Sequence, residues 1–247
     1  ALCHDIGLRS GRYAEEWPMM QPSVAKMRYL TSAQSGDVSR RMAMSADIVL
    51  HPGQSIKRAA HSLPPGGGKL YLLDGEYRVA DSLVISRDNV QIIGQSRRGV
   101  VIIRSTETTS PMVKIAGNKV SLENMSFHDG STVSVGSLQT VRIEGDDCRV
   151  EDCVFTDGYY AIYAVGCERL YLEGNRVEAS ELGSGASVHL ESVSYSIVTG
   201  NNLRSSGRDL LFHDSSNNVC IGNVIGGGLS VRQTGTSGSN QVAANAS

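Results

Sequence analysis

Cys148-Arg149-Val150-Glu151-Asp152-Cys153-Val154-Phe155 repeats, in altered letters, Val120-Ser121-Leu122-Glu123-Asn124-Met125-Ser126-Phe127. In both, apolar and polar residues alternate and the alternation breaks at Asn or Asp. A period of two marks a short strand with one buried face, and Asn, Asp or Gly at the break marks a turn. The phrase occurs earlier as Val90-Gln91-Ile92-Ile93-Gly94 and later as Leu170-Tyr171-Leu172-Glu173-Gly174-Asn175-Arg176-Val177. Weaker copies run over 197–203, 219–225 and 242–245. The turn marker falls at 94, 124, 152, 174, 200, 222 and, in the weakest copy, 244, which gives steps of 30, 28, 22, 26, 22 and 22 residues. Self-similarity on this scale means stacked coils, and unequal steps mean turns of unequal length. The repeat predicts a solenoid of about seven coils, each made of short strands.

Composition agrees with a narrow aliphatic core and many turns: of 247 residues 40% are hydrophobic but only 5% aromatic, and 27 are glycine. A net charge of −2 gives no overall field toward nucleic acid or anionic lipid. Basic residues are spread evenly and are not interleaved with aromatics, so no nucleic-acid partner is expected. No apolar run approaches the ~18 residues of a membrane span, so no membrane insertion is expected. Cys3, His4 and Asp5 stand where a secretory signal would carry basic residues, so the chain is expected to lack an export signal. The cysteines, at 3, 148, 153, 167 and 220, are scattered, and four lie at or beside apolar positions of the repeat. They read as buried, reduced thiols rather than zinc ligands, which implies a reducing compartment. No metal and no cofactor are expected.

Residues 1–47 do not repeat. They hold the only Trp and five of the seven Met, with no strand periodicity. Trp17, Met19, Met20, Tyr29, Met42 and Met44 predict an extended arm that orders on a partner protein, because apolar anchors without a core of their own suit docking on a larger assembly. The second domain runs over 48–247. In it Ile56, Ala59, Ala60 and Leu63 have helical spacing, Ser55 suits an N-cap, and Pro64-Pro65 stops the helix. An amphipathic helix at this place would close the open first coil.

The run His51 to Arg104, HPGQSIKRAAHSLPPGGGKLYLLDGEYRVADSLVISRDNVQIIGQSRRGVVIIR, resembles the opening of pectate-lyase-like, right-handed parallel β-helix proteins. A short helix, a Gly-rich turn, a strand, an x-G-x-Y turn and an I-x-G rung come in that family's order. The resemblance implies an all-β, single-stranded right-handed parallel β-helix with an N-terminal capping helix. The superfamily includes lyases, hydrolases, epimerases and phage spike proteins that only bind, so fold alone does not carry function. Its phage spikes are homotrimers, and the resemblance extends that expectation to this chain.

Candidate catalytic residues follow from aligning the rungs. Phe127 over Phe155 puts Asp129 over Asp157, one rung apart, close enough for two carboxylates to have their titration pushed apart. The competing reading is an Asp-Gly turn used twice. Asp146-Asp147 resembles the acidic pair of polygalacturonase-type hydrolases, but the accompanying N-T-D, G-H-G and R-I-K motifs are absent from the sequence. Glu123, Glu151 and Glu173 align as an outward ladder. Tyr159, Tyr160, Tyr163 and Tyr171, with Arg204, Arg208 and His213 on later coils, suit an extended glycan, or the rings fill an interface between copies. His213-Asp214 and His189 with Glu191 could line a groove, although a lone His on such a surface is more often a plain polar contact. Asn201-Asn202 and Asn217-Asn218 suit internal asparagine ladders.

Two functions fit these expectations. One is a spike or fibre of a bacteriophage or phage-like particle such as a gene transfer agent, assembled in the bacterial cytoplasm. Its arm would attach to capsid or tail proteins and its solenoid would bind, or present a binder for, host surface polysaccharide. The other is a polysaccharide lyase or glycoside hydrolase using Asp129 and Asp157.

Overall fold

Strands come in threes. The computed structural model describes residues 47–105, 109–130, 138–178, 185–204, 207–226, 229–243 and 245–246. Trp17, Met19, Met20, Tyr29, Met42 and Met44 of the expected arm lie outside them. Strand β1 (Asp47–Leu50) and helix α1 (Ile56–Ser62) precede the first coil, β2 (Gly68–Leu72), β3 (Gly75–Val79) and β4 (Leu83–Ile85). The second coil is β5 (Val90–Gly94), β6 (Val100–Arg104) and β7 (Val113–Ile115). The third is β8 (Ser121–Glu123), β9 (Ser126–Asp129) and β10 (Gln139–Ile143). The fourth is β11 (Arg149–Glu151), β12 (Val154–Asp157) and β13 (Tyr160–Val165). The fifth is β14 (Tyr171–Glu173), β15 (Arg176–Glu178) and β16 (Ala186–Glu191). The sixth is β17 (Ile197–Thr199), β18 (Asn202–Leu203) and β19 (Arg208–His213). The seventh is β20 (Val219–Ile221), β21 (Val224–Ile225) and β22 (Leu229–Thr234), and β23 (Gln241–Ala243) begins another.

Corresponding strands of successive coils pair in parallel and form three sheets. Sheet A is β1-β2-β5-β8-β11-β14-β17-β20-β23, sheet B is β3-β6-β9-β12-β15-β18-β21, and sheet C is β4-β7-β10-β13-β16-β19-β22. In sheet A, Gln91 pairs with Ser121, Ser121 with Arg149, Arg149 with Tyr171, Tyr171 with Ile197, Ile197 with Val219 and Val219 with Gln241. These steps are the 30, 28, 22, 26, 22 and 22 of the sequence repeat. The extra residues sit mainly in the B-to-C turns: Phe127 to Val141 takes 14 positions, whereas Phe155 to Ile162, in register with them, takes 7.

The alternating pattern of each strand sends one set of side chains into the lumen. Leu70, Ile92, Leu122, Val150, Leu172, Val198 and Cys220 stack in register down sheet A, all fully buried. On sheet B Phe127 and Phe155 stack with ring centroids 5.0 Å apart. Cys148, Cys153, Cys167 and Cys220 are buried free thiols, as their apolar positions predict. Burial pushes Cys153 and Cys167 up to about 12 and Cys148 and Cys220 to about 11, so none is a ready nucleophile. Helix α1 lays Ile56, Ala59 and Ala60 on the open first coil, and the Ser55 side chain caps it by accepting from the Arg58 N–H at 3.2 Å.

Two sharp turns per coil hold the stack. In the C-to-A turn Asn89, Lys119, Asp147, Arg169, Tyr195, Asn217 and Ser239 all have positive φ, spaced by the same steps as the repeat. In the A-to-B turn Asn175, Asn201, Asn223 and Asn245 form a ladder, the first three buried and the last half-buried. Each side-chain oxygen accepts from the main-chain N–H of the preceding rung at 2.9–3.0 Å. Ser196, Asn218 and Asn240 form a second ladder by the same rule. Of the residues proposed for ladders, Asn201 and Asn218 take these places, whereas Asn217 occupies the left-handed turn and Asn202 lies in β18.

Candidate functional site

Sheet C carries the longest strands and borders the variable B-to-C turns. Its outward register runs Lys114, Arg142, Tyr163, His189, Leu211 and Arg232. A neighbouring column stacks Val165, Glu191, His213 and Thr234. Parallel pairing thus brings together side chains 21 to 28 residues apart in the chain.

An aromatic array occupies the middle of this face. The Tyr159 and Tyr160 rings meet edge to face at 4.7 Å, and Tyr160 and Tyr163 lie 5.7 Å apart. His189 sits 5.3 Å from the Tyr160 ring and 4.9 Å from Tyr163, nearly perpendicular to the latter. The Arg142 guanidinium lies 5.2 Å over the other side of the Tyr163 ring, a cation–π placement. The Tyr163 hydroxyl donates to Glu191.

Fixed charges hold the array. Glu144 accepts from Arg142 Nε at 2.6 Å and pairs with Lys114 Nζ at 2.9 Å. Burial pushes its carboxyl up, but these two cations more than offset it and keep it below the usual range. Burial, then the bond to Glu191, raises Tyr163 well above the ordinary phenol value. Burial likewise raises Tyr160. Burial pushes His189 down to about 4 against the opposing pull of Glu191, so the imidazole is neutral near pH 7. A face of neutral rings above paired charges can stack on C–H surfaces and offer hydrogen bonds at its rim.

The residues singled out from sequence divide among the three sheets. Tyr159, Tyr160, Tyr163, Arg208 and His213 lie on the sheet C side. His213 bonds Thr234 Oγ1 at 2.9 Å and Asp214 at 3.3 Å, and Arg208 acts on both Tyr160 and His189 through its charge. Tyr171 instead faces outward from sheet A, where it donates to Glu173 at 2.8 Å beneath Arg149. Arg204 follows β18 of sheet B and is exposed. Glu123, Glu151 and Glu173 are in register on sheet A, as alignment predicts. Arg142, Glu144 and Lys114 were not anticipated; only the sheet C register places them beside Tyr163.

Asp129 and Asp157 are also in register. Their carboxyl groups have different surroundings. Asp129 is fully buried, with its oxygens on Arg104 at 2.6 and 3.0 Å and Thr140 at 3.3 Å. Asp157 has φ 64° and an exposed carboxyl 3.3 Å from His128. The two aligned carboxylates therefore have unlike surroundings: Asp129 is committed to a guanidinium, and Asp157 faces His128.

Among the described residues no group of three or more His, Cys, Asp and Glu is placed to hold a metal ion, and no helix is long and apolar enough to cross a membrane.

Residues 113–246 match the family model of the right-handed beta helix region. The chain belongs to the right-handed β-helix family. The resemblance carried by residues 51–104 is thereby joined to a match over the later coils, and the fold is a right-handed parallel β-helix. No curated protein matches this β-helix in sequence. Among solved structures it is similar to ORF18 of Geobacillus virus E2, with TM-score 0.55, 13% identity, and coverage of 80% of this chain and 46% of that one. It is similar to PfbA, a surface adhesin of Streptococcus pneumoniae, with TM-score 0.56, 13% identity, and coverage of 69% and 52%. It is also similar to DFA-IIIase from Arthrobacter chlorophenolicus A6, with TM-score 0.63, 14% identity, and coverage of 79% and 62%. The β-helix therefore spans less than two thirds of each of these proteins, and the likeness is one of fold.

Proposed function

We propose that this β-helix is a spike or fibre component of a bacteriophage or phage-like particle that binds host surface polysaccharide through the outer face of sheet C. The observation that carries the binding reading is the array of Tyr159, Tyr160, Tyr163 and His189, held from below by Arg142 and Glu191. Aromatic rings along a solenoid suit a long, repetitive ligand by stacking on its C–H faces. The particle reading is supported by the composition of residues 1–47 and by the fold shared with a viral protein and a surface adhesin. In this reading residues 1–47 attach the protein to capsid or tail, three copies associate, and the chain resides in the virion. The alternative, a polysaccharide lyase or glycoside hydrolase using Asp129 and Asp157, is less well supported because Arg104 occupies Asp129.

The test has two arms. Tyr160→Ala and Tyr163→Ala are expected to abolish retardation of the protein in gels carrying its host's polysaccharide, with the thermal melt little changed. Deletion of residues 1–47 is expected to leave that binding intact and to prevent recovery of the protein with purified particles. Binding that survives both alanine variants, or particle association without the arm, would sink the corresponding half.

A further inference from the structure

Beneath the rings of Tyr160 and Tyr163, His189 is only 9% exposed, and neither of its ring nitrogens has a hydrogen-bond partner among the described residues. Ser187, 1% exposed, leaves its hydroxyl in the same condition. The two residues lie two positions apart on β16 and project to the same side of sheet C. Native interiors leave few polar atoms in this state, because each forfeits its hydration without a compensating hydrogen bond. Three such atoms within three residues, beside the Tyr160 and Tyr163 rings, indicate a place built for a partner.

We propose that Ser187 and His189 form the polar floor of a subsite for a neutral, hydroxyl-bearing sugar unit, with Tyr160 and Tyr163 as its apolar walls. This rests on the reading of sheet C as a glycan-binding face and specifies the class of sugar it takes. A neutral imidazole has one N–H donor and one lone pair, and a serine hydroxyl both donates and accepts. Sugar hydroxyls match that inventory because each also does both. A uronate carboxylate only accepts, so it would leave the imidazole lone pair facing another acceptor. It would also bring a second negative charge near Glu191, which already holds the Tyr163 hydroxyl. Protonating His189 would remove the mismatch, but burial opposes this, as do the charges of Arg208 and His213, and Glu191 alone favours it. Admitting the sugar requires the half-buried Tyr160 and Tyr163 rings to turn aside and Tyr163 to release Glu191.

Affinity electrophoresis of the full chain tests this, with gels carrying dextran, a galactomannan or polygalacturonate. The expected result is retardation by at least one neutral polymer and none by polygalacturonate. His189→Phe, which keeps a ring in place, is expected to weaken neutral-polymer binding about tenfold or more, and Ser187→Ala by several-fold. Thermal melts establish that each variant is folded; should His189→Phe fail to fold, Ser187→Ala decides alone. Retardation by polygalacturonate overturns the subsite while leaving glycan binding by sheet C in place. So does neutral-polymer binding that is lost in Tyr163→Ala but unchanged in the His189 and Ser187 variants, which would assign the space to ordered water. No retardation by any polymer overturns both the subsite and the glycan-binding reading.

Discussion

Arg104 at the end of β6 and Asp129 at the end of β9 face each other across adjacent coils, with Nε 2.6 Å from Oδ1 and both side chains almost wholly buried. The same guanidinium donates to the carbonyls of Ser110 at 2.8 Å and Gln139 at 3.4 Å, so it ties two successive B-to-C connections to sheet B. Removing one partner of a buried pair leaves an uncompensated charge. Arg104→Met and Asp129→Leu are each expected to destabilise the fold by about 3–5 kcal/mol. Combining Arg104→Met with Asp129→Leu is expected to recover much of that loss. Urea unfolding of the three variants checks this, and additive losses in the double variant would refute the pairing.

Asn201 makes the next prediction. Its side chain accepts from Asn175 N at 2.9 Å and donates to the carbonyls of Leu172 and Thr199 at 3.0 Å, all at a nearly inaccessible site. Asn201→Ala strands several buried groups at once and is expected to cost about 2–4 kcal/mol, more than a single exposed hydrogen bond. Asn202→Ala, one residue away but outside the ladder, is expected to cost under about 1 kcal/mol. Comparing their denaturation midpoints tests whether the ladder is the difference.

His189 gives a pH dependence with a definite sign. Its folded pKa, about 4, lies below the ordinary value of ~6.5, so between these values the unfolded chain takes up a proton that the folded chain refuses. Its contribution is full above about pH 6.5, falls by up to ~1.4 kcal/mol per unit as pH drops, and levels off below about pH 4. His189→Phe removes this slope, so relative to the parent the variant is expected to be more stable at pH 4.5 than at pH 7.5. Equal differences at the two pH values would show that the imidazole is not held neutral.

Tyr195 is 60% exposed yet has φ 55°, in a row whose other members include Asn89, Asp147 and Asn217. A bulky side chain is strained there, whereas Asn tolerates the left-handed region. Tyr195→Asn is expected to stabilise the fold by about 0.5–1 kcal/mol, read as a small rise in melting temperature. A fall would mean that the ring contributes packing that outweighs the strain.

The spacing of the turn markers was legible in the sequence because the lumen accepts one residue parity and the turn puts Asn124, Asp152, Gly174, Gly200 and Gly222 in the same left-handed conformation. That repetition revealed the sheet A register step by step, including Glu123 over Glu151 over Glu173. It did not reveal which of three sheets a tyrosine occupies: alternation separates inside from outside but does not count faces, and so Tyr171 and Tyr163 looked alike. Aligning Phe127 with Phe155 correctly put Asp129 over Asp157. The fate of the two carboxylates was hidden, because it depends on Arg104, 25 residues upstream, and on the positive φ of Asp157. The sheet C site was the hardest to read, since the B-to-C turns vary most in length and only the folded register sets Arg142, Tyr163 and His189 side by side.

Every oxygen of the asparagine ladder serves the coil before its own: Asn201 completes Asn175, Asn223 completes Asn201, and Asn245 completes Asn223. The stack therefore has an arrow. A coil's main chain is finished only when its successor is laid down, so trimming from one end bares N–H donors while trimming from the other bares side-chain acceptors. Two cut surfaces of the same solenoid would be chemically unlike, and coils from another such protein could be spliced on in only one sense.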